Sequence, residues 1–214
     1  MKLAYKISLV LVMLFVTGCS KKAESPAPSK KLFIIHGYAA HPSDHWFPWL
    51  QSEAEKNGFA TSVIEMPNPD EPAIEDWLKT LKEQIPNDTD DNTYFVAHSL
   101  GCITLLRHLE SLPEGTKIGG YILVSGFSSE LPILPQLAPF TEQPLDLQRL
   151  KAMTKSKVVI GATDDRIVPI SLIRSLATDL DAQFIETESG GHFLASDGYE
   201  QFSLVWDQLQ SMAK

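Results

Sequence analysis

Serine, aspartate and histidine residues that could together perform nucleophilic catalysis follow three separate β-type runs of the chain. Ser99 follows the run Tyr-Phe-Val-Ala-His, the pair Asp164 and Asp165 follows Val-Val-Ile-Gly-Ala-Thr, and His192 follows Gly-Gly. In such a set the histidine takes the serine proton, and the aspartate holds the imidazole in the correct tautomer. The chemistry that these residues predict is acyl transfer to water through an acyl-serine intermediate.

The segment around Ser99 has the features of a sharp turn between a strand and a helix. It reads A-H-S-L-G, so Ala97 stands where the G-x-S-x-G pattern has its first glycine, and Gly101 keeps the second. Such a turn exposes the serine hydroxyl and directs N–H groups of the following helix at a developing oxyanion. We therefore predict the Leu100 N–H as one oxyanion donor. In known hydrolases with this type of turn, the loop after the corresponding strand supplies the second donor, which by position would be the Tyr38 N–H.

Two neighbouring aspartates compete for the role of the acid. The segment D-D-R-I-V-P favours Asp165, because the D-x-I-V-P arrangement is common in hydrolases of the α/β class, and it leaves Asp164 as a turn residue. In the alternative interpretation the pair forms only a turn and a helix N-cap, positions where aspartate is also preferred. The order Ser, Asp, His along the chain favours the catalytic interpretation.

The elements that must bring these residues together alternate between short β-rich runs and amphipathic helical runs. Continuous apolar runs are typical of strands buried on both faces of a parallel sheet. Strands are predicted over residues 32–35, 59–66, 93–97, 117–125, 157–160 and 182–187, and helical spacing of apolar residues predicts helices over 74–85 and 202–212. This pattern predicts an α/β fold with about six mostly parallel strands and helices on both faces, with sites at the carboxyl ends of the strands.

The N-terminal segment has the pattern of a targeting signal followed by a tether. Lys2 and Lys6 precede an apolar stretch at 7–16, which is shorter than the roughly 20 residues that span a bilayer as a helix. The following Val-Thr-Gly-Cys resembles the lipobox of bacterial lipoproteins, which are cleaved before an acylated cysteine. We predict a lipoprotein signal peptide at 1–18, a lipidated Cys19 with a flexible linker at 19–30, and one domain at 31–214. An ordinary signal peptide or a buried helix is the alternative.

The charge of the chain argues against nucleic acid as a partner. Lysine and arginine number 18 against 27 aspartate and glutamate residues, which gives a formal net charge of −9. An acidic surface repels polyanions such as nucleic acid and anionic lipid headgroups. The charge therefore excludes classes of partner but says nothing about a substrate.

Several other residues invite a functional interpretation. His36, His41 and His45 lie close together in the sequence, but no cysteine or carboxylate stands at a supporting spacing, so we predict no metal site. Cys102 lies in a predicted apolar helix, which favours a buried core thiol over a nucleophile. The segment at 127–144 contains four prolines and several large apolar residues, and it predicts either a small cap over the sheet edge or an ordinary long loop.

Motifs spread over the whole predicted domain resemble one family. They are H-G-Y-x-A-x-P-x-x-H-W-F-P-W-L at 36–50, M-P-N-P at 66–69, E-D-W-L at 75–78, A-H-S-L-G-C, L-V-S-G-F at 123–127, D-D-R-I-V-P and G-G-H-F. Together they resemble the small serine hydrolases related to retinoblastoma-binding protein nine, and particularly their YdeN-type bacterial members. The resemblance implies a minimal three-layer α/β-hydrolase fold with the strand order 2-1-3-4-5-6, and a catalytic triad of Ser99, Asp165 and His192.

The expected function is that of a serine hydrolase that cleaves carboxylic esters or related acyl bonds without a cofactor. Its partners would be a small acyl-containing substrate and, through the acylated Cys19, a lipid bilayer. We therefore expect a protein anchored in the bacterial cell envelope that faces the periplasm or the exterior. Peptidase or thioesterase chemistry at the same residues is one alternative, and a non-catalytic, membrane-tethered binding lipoprotein with the same fold is another.

Overall fold

A sheet of parallel strands forms the centre of the domain. The computed structural model describes residues 30–86 and 88–214, and the strand order across the sheet is β2-β1-β3-β4-β5-β6, as the resemblance implied. The strands are β1 (Lys30–Ile35), β2 (Phe59–Ile64), β3 (Thr93–His98), β4 (Gly120–Val124), β5 (Lys157–Ala162) and β6 (Gln183–Thr187). Because every neighbouring pair is parallel, all of these strands end at the same edge of the sheet.

Helices cover both faces of the sheet. They are α1 (Phe47–Lys56), α2 (Ile74–Gln84), α3 (Leu100–Ser111), α4 (Leu147–Met153), α5 (Ile170–Asp179) and α6 (Ser203–Met212). Buried residues of α1 and α6 belong to one hydrophobic cluster, and those of α2, α3, α4 and α5 belong to a second. Two helical layers around one sheet confirm the predicted three-layer α/β class.

The helical layers on both faces of the sheet explain why the strands are continuously apolar. Successive side chains of a strand point to opposite faces of the sheet. In β1, accordingly, Leu32 and Ile34 pack in the cluster with α1 and α6, whereas Phe33 and Ile35 pack in the other cluster. Both faces of the central strands are therefore apolar, and every residue of β3 is buried.

Three strands are shorter than the sequence predicted. β6 begins at Gln183 rather than at 182, and β2 and β4 are shortened because tertiary hydrogen bonds replace the strand ladder. β2 ends at Ile64 rather than at 66, since the Met66 N–H donates to Nε2 of His36 at 3.0 Å. β4 begins at Gly120 rather than at 117, since the Ile118 N–H donates to the carbonyl oxygen of Met153 at 3.2 Å.

The predicted signal peptide, Cys19 and the linker up to residue 29 lie outside the described residues. β1 already begins at Lys30, the last residue of the predicted linker. Among the helices of residues 30–86 and 88–214, none has the length and apolar character needed to cross a bilayer.

The proline-rich segment at 127–144 is folded against the domain. It contains a 3-10 helix at Pro135–Phe140. The guanidinium of Arg107 in α3 donates to the carbonyl oxygens of Phe140 at 3.4 Å, of Pro144 at 3.1 Å and of Gln143. The structure therefore agrees with the interpretation of this segment as a small cap rather than an ordinary long loop. Arg107 connects the cap to α3.

Candidate active site

Ser99 occupies a strained turn between β3 and α3. Its φ and ψ angles are 52° and −121°, a conformation that residues other than glycine rarely adopt. The Ser99 N–H donates to the carbonyl oxygen of Val124 at 2.9 Å, and α3 begins at the next residue, Leu100. The chain therefore has the strand–turn–helix geometry that the A-H-S-L-G segment predicted.

Two glycines permit the close approach of the β1 end to this turn. A Cβ on Gly101 would lie 2.5 Å from the carbonyl oxygen of His36, and a Cβ on Gly37 would lie 2.9 Å from Cβ of Ser99. Distances this short would require the backbone to shift. Ala97, which replaces the first glycine of the pattern, is fully buried in β3 without such a requirement.

The Asp165 carboxylate receives four hydrogen bonds after the end of β5. Its Oδ1 accepts from the N–H groups of Ile167 at 2.8 Å and Val168 at 2.9 Å. Its Oδ2 accepts from Nδ1 of His192 at 2.8 Å and from the hydroxyl of Ser125 at 2.9 Å. Of the two candidate aspartates, Asp165 is thus the one in contact with the imidazole.

The pKa of Asp165 lies below the ordinary value for an aspartate. Burial is the largest single influence and by itself raises this pKa. The hydrogen bond and charge of His192, together with the amide donors of Val168 and Ile167, act in the opposite direction and outweigh it. The carboxylate is therefore held in its ionised form beside the imidazole.

Side chains from several parts of the domain bond the backbone of the loop that carries His192. Oδ2 of Asp197 accepts from the His192 N–H at 3.0 Å, and Oδ1 of Asp164 accepts from the Gly191 N–H at 2.8 Å. Nε2 of His98 lies 2.9 Å from the carbonyl oxygen of His192, to which it donates because a carbonyl only accepts. Since His98 directly precedes Ser99, this bond connects the serine turn to the histidine loop.

The two predicted oxyanion donors belong to residues near Ser99: Leu100 follows it in the chain, and Tyr38 lines the same cavity. Within the described part of the chain, the N–H groups of Tyr38 and Leu100 donate to no protein acceptor. Nε2 of His36 accepts from the Met66 amide at 3.0 Å, so its Nδ1 carries the proton and donates to the carbonyl oxygen of Gly37 at 2.9 Å. In a trans peptide this fixed carbonyl directs the Tyr38 N–H away from His36.

A cavity of about 310 Å³ brings the predicted residues together. It is mainly apolar, and its wall includes Ser99 and His192 as well as Ile133 and Leu134 of the cap. The Ser99 hydroxyl makes no hydrogen bond to another described residue, and Nδ1 of His192 is engaged by Asp165, so Nε2 is the imidazole nitrogen available to the serine. Catalytic hydrogen bonds commonly form only once a substrate is bound.

The histidines near residue 41 and Cys102 were the other residues for which the sequence raised a functional interpretation. Among the described residues, no group of three or more histidine, cysteine, aspartate or glutamate side chains is placed to hold a metal ion. His41 lies at the surface, 3.3 Å from a carboxylate oxygen of Glu65. Cys102 is fully buried, and burial raises the pKa of its thiol, so it is a core residue as the apolar helix indicated.

Ser125 and His98 are the site residues whose roles the sequence did not reveal. Ser125 is part of the L-V-S-G-F motif, has a φ of 48° and is fully buried, and its hydroxyl donates to Asp165. His98 is the last residue of β3, and Ser125 directly follows β4. This position at the carboxyl ends of strands is the signal that could have identified both residues from the sequence. Neither has an assigned role within the motif that contains it, L-V-S-G-F or A-H-S-L-G-C, so only the three-dimensional contacts assign these roles.

The sheet order and the strand–turn–helix at Ser99 define a protein of the α/β-hydrolase class. A family model described as serine hydrolase matches residues 32–211. YdeN of Bacillus subtilis (strain 168) is 44% identical over 183 residues, which cover 86% of this chain and 96% of that protein. The chain belongs to this serine hydrolase family.

Structural and more distant relatives agree with this assignment. The crystal structure of the ydeN gene product from B. subtilis has a TM-score of 0.83 at 43% identity, covering 86% of this chain and 98% of that one. The serine hydrolase RBBP9 of Rattus norvegicus is 25% identical over 186 residues, 86% of this chain and 97% of its own. Est1E from Butyrivibrio proteoclasticus shares the fold at 14% identity, with a TM-score of 0.60 over 85% of this chain and 89% of that one.

The depressed pKa of Asp165 predicts a specific pH dependence of stability. The ionised carboxylate stabilises the fold above the unfolded-state pKa of about 3.9, and this contribution is lost as the pH falls through the lower folded-state pKa. The unfolding free energy of the wild type should therefore exceed that of Asp165→Asn at about pH 5, and the difference should shrink below about pH 4. Urea titrations at graded pH measure this difference in unfolding free energy. A difference that does not change with pH would contradict the proposed environment of this carboxylate.

Proposed function

We propose that this protein hydrolyses carboxylic esters through an acyl-enzyme, with Ser99 as nucleophile, His192 as general base and Asp165 as the group that orients His192. The observation that carries the proposal is the 2.8 Å contact between Asp165 Oδ2 and His192 Nδ1 beside a cavity that also contains Ser99. Membership of the serine hydrolase family supports hydrolysis as the reaction class.

The contacts at His192 suggest how the proton moves in this reaction. Nδ1 keeps its proton, which it donates to Asp165, so Nε2 takes the proton from the Ser99 hydroxyl as its oxygen attacks the carbonyl carbon. The imidazolium then gives this proton to the leaving alcohol as the ester C–O bond breaks. A water molecule attacks the acyl-serine by the same route and regenerates Ser99. The proposed reaction requires neither a metal nor a cofactor.

The amides of Leu100 and Tyr38 are proposed to stabilise the tetrahedral oxyanion. Both N–H groups are free of protein acceptors within residues 30–86 and 88–214, and Leu100 begins α3, where the helix dipole also favours negative charge. His36 acts as a positioning residue, because it fixes the carbonyl of the Gly37–Tyr38 peptide. Losing one such donor costs on the order of 3 kcal/mol of transition-state stabilisation where it has been measured.

The size of the cavity supports small to medium acyl groups as substrates. Ligand sites in proteins typically range from about 300 to 1,000 Å³, and this cavity has about 310 Å³. Ile133 and Leu134 of the cap and Leu194 contribute apolar lining. A long triglyceride would not be enclosed, whereas a short acyl chain would be largely desolvated.

Covalent labelling of Ser99 tests the proposed function directly. A fluorophosphonate probe is expected to label the wild type, and Ser99→Ala is expected to abolish labelling and to reduce ester turnover by roughly 10⁴- to 10⁶-fold. Ser203→Ala is the matched control, because this exposed serine at the start of α6 lies outside the cavity.

Two results would contradict the assignment. Labelling of Ser99→Ala at the wild-type level would mean that another residue is the nucleophile. A wild-type protein that neither reacts with the probe nor hydrolyses esters would instead support a non-catalytic binding lipoprotein with this fold.

We further propose that Cys19 is acylated and anchors the protein in the bacterial cell envelope. The proposal rests on the basic residues, the short apolar stretch and the Val-Thr-Gly-Cys sequence. The described chain enters the sheet at Lys30, at the edge opposite to the carboxyl ends where Ser99 and His192 lie. An anchored enzyme with this topology would present its cavity on the side away from its attachment point.

Incorporation of labelled fatty acid into the full chain in a bacterial host tests the anchor. The wild type should incorporate the label and sediment with membranes, and Cys19→Ser should do neither. Cys102→Ala is the control, since it removes the buried thiol and leaves Cys19 in place. Equal labelling of the wild type and Cys19→Ser would rule out acylation at this cysteine.

A further inference from the structure

His45 lines the same cavity as Ser99 and His192, and the proposed reaction gives it no role. It lies just before α1 and has a φ of 54°, in the left-handed region that is uncommon for residues with a side chain. Its ring packs edge-on against the rings of Phe47 and His98 at centroid distances of 5.5 and 6.1 Å. The imidazole is therefore held in one orientation at the cavity.

The tautomer of His45 follows from the one hydrogen bond that its ring makes to another described residue. The backbone N–H of Ala195 donates to Nδ1 of His45, with a distance of 3.1 Å between the nitrogens. A ring nitrogen that accepts a hydrogen bond carries no proton, so in the neutral ring the proton resides on Nε2. His45 therefore presents an N–H donor at Nε2 and cannot become an imidazolium without losing the bond from Ala195.

The surroundings of His45 favour this neutral form. Burial is the largest influence on the pKa of His45 and lowers it, and nearby His192 also lowers it. The carboxylates of Asp44 and Asp197 act in the opposite direction but do not reverse the shift. At neutral pH the ring is thus an uncharged, fixed donor.

Most of the other polar side chains of the cavity already have a hydrogen-bond partner or a role in the proposed reaction. His98 Nε2 donates to the His192 carbonyl, and Ser99 and His192 take part in the proposed chemistry. Among the described residues that line the cavity, Tyr38 alone adds a further side-chain donor, and the others are apolar: Ala39, Ala40, Ile133, Leu134, Ile167 and Leu194. An oxygen atom of a substrate buried in such a cavity would be destabilised unless a donor met it.

We propose that the Nε2–H of His45 binds an oxygen acceptor in the acyl group of the substrate and so makes His45 a specificity-determining residue. The inference rests on the proposed ester hydrolysis and narrows its substrate class. Preferred acyl groups carry an ether, hydroxyl or carbonyl oxygen a few atoms beyond the scissile carbonyl. Purely hydrocarbon acyl groups of the same length leave the donor unpaired and are hydrolysed less efficiently.

Isosteric esters test this preference. The p-nitrophenyl ester of pentanoic acid is compared with those of ethoxyacetic acid and 3-methoxypropanoic acid, in which an ether oxygen replaces one methylene. Each kcat/KM is divided by the rate of hydroxide-catalysed hydrolysis of the same ester, which removes differences in intrinsic reactivity. The wild type should favour at least one of the ether esters over pentanoate by about tenfold, the size of effect that one good hydrogen bond produces.

Two variants of His45 separate substrate binding from a purely structural role. In His45→Asn the amide oxygen replaces Nδ1 as acceptor for Ala195, the donor at the Nε2 position is lost, and asparagine tolerates a positive φ. In His45→Gln the side-chain amide nitrogen replaces the Nε2 donor, and the acceptor is lost. We expect His45→Asn to hydrolyse pentanoate within about threefold of the wild type but to lose the ether preference, and His45→Gln to keep part of it.

Tyr38→Phe removes the competing phenol, keeps the Tyr38 amide and should retain the preference. The proposal is overturned if the wild type shows no ether preference, if His45→Asn keeps it, or if His45→Asn lowers all three esters equally. Loss of the ether preference in both His45→Asn and His45→Gln would also overturn the proposal. So would loss of the preference in Tyr38→Phe while His45→Asn retains it. A wild type that hydrolyses none of the esters would contradict the proposed function itself, and hydrolysis of all three without preference would contradict only the role of His45.

Discussion

A buried carboxylate is stable in a protein interior only when hydrogen-bond donors surround it, and the loop edge of this domain is built around that requirement at Asp165. Its side chain is fully buried, and its donors come from three places: its own loop, Ser125 after β4, and His192 after β6. Satisfying this one group therefore fixes three loops relative to one another. The position of the imidazole beside the serine turn follows from that arrangement.

Neutral histidines form the second part of the arrangement. His36, His45 and His98 each use one ring nitrogen to bind the backbone of another loop, and burial lowers the pKa of each ring. All three act as uncharged, directional hydrogen-bonding groups. His192 differs because the partner of its Nδ1 is the carboxylate of Asp165 and not a backbone group. The same residue type thus serves as scaffold at three positions and as the proposed base at one.

The sequence predicted the fold class and the candidate catalytic residues because both depend on local patterns: continuous apolar strands, and short motifs that follow their ends. The pairing of Asp165 with Ser125 could not be predicted, since it joins residues 40 positions apart and depends on the register of β4 against β5. The predicted end of β2 and the predicted start of β4 were wrong for a related reason. At these positions hydrogen bonds to His36 and Met153 replace the strand ladder. The catalytic roles of Ser99, Asp165 and His192 stay predictions that the geometry supports.

Turnover of p-nitrophenyl acetate by Asp165→Asn and Asp164→Asn tests the central interaction most directly. Both substitutions remove one negative charge from adjacent positions, but only Asp165 contacts the imidazole, whereas Asp164 accepts from the Gly191 amide. Asp165→Asn should lower kcat by about 10⁴-fold, because the imidazole loses the partner that sets its tautomer. Asp164→Asn should lower it by less than about tenfold, the range expected for one neutral hydrogen bond. Equal losses, or a larger loss in Asp164→Asn, would contradict the account.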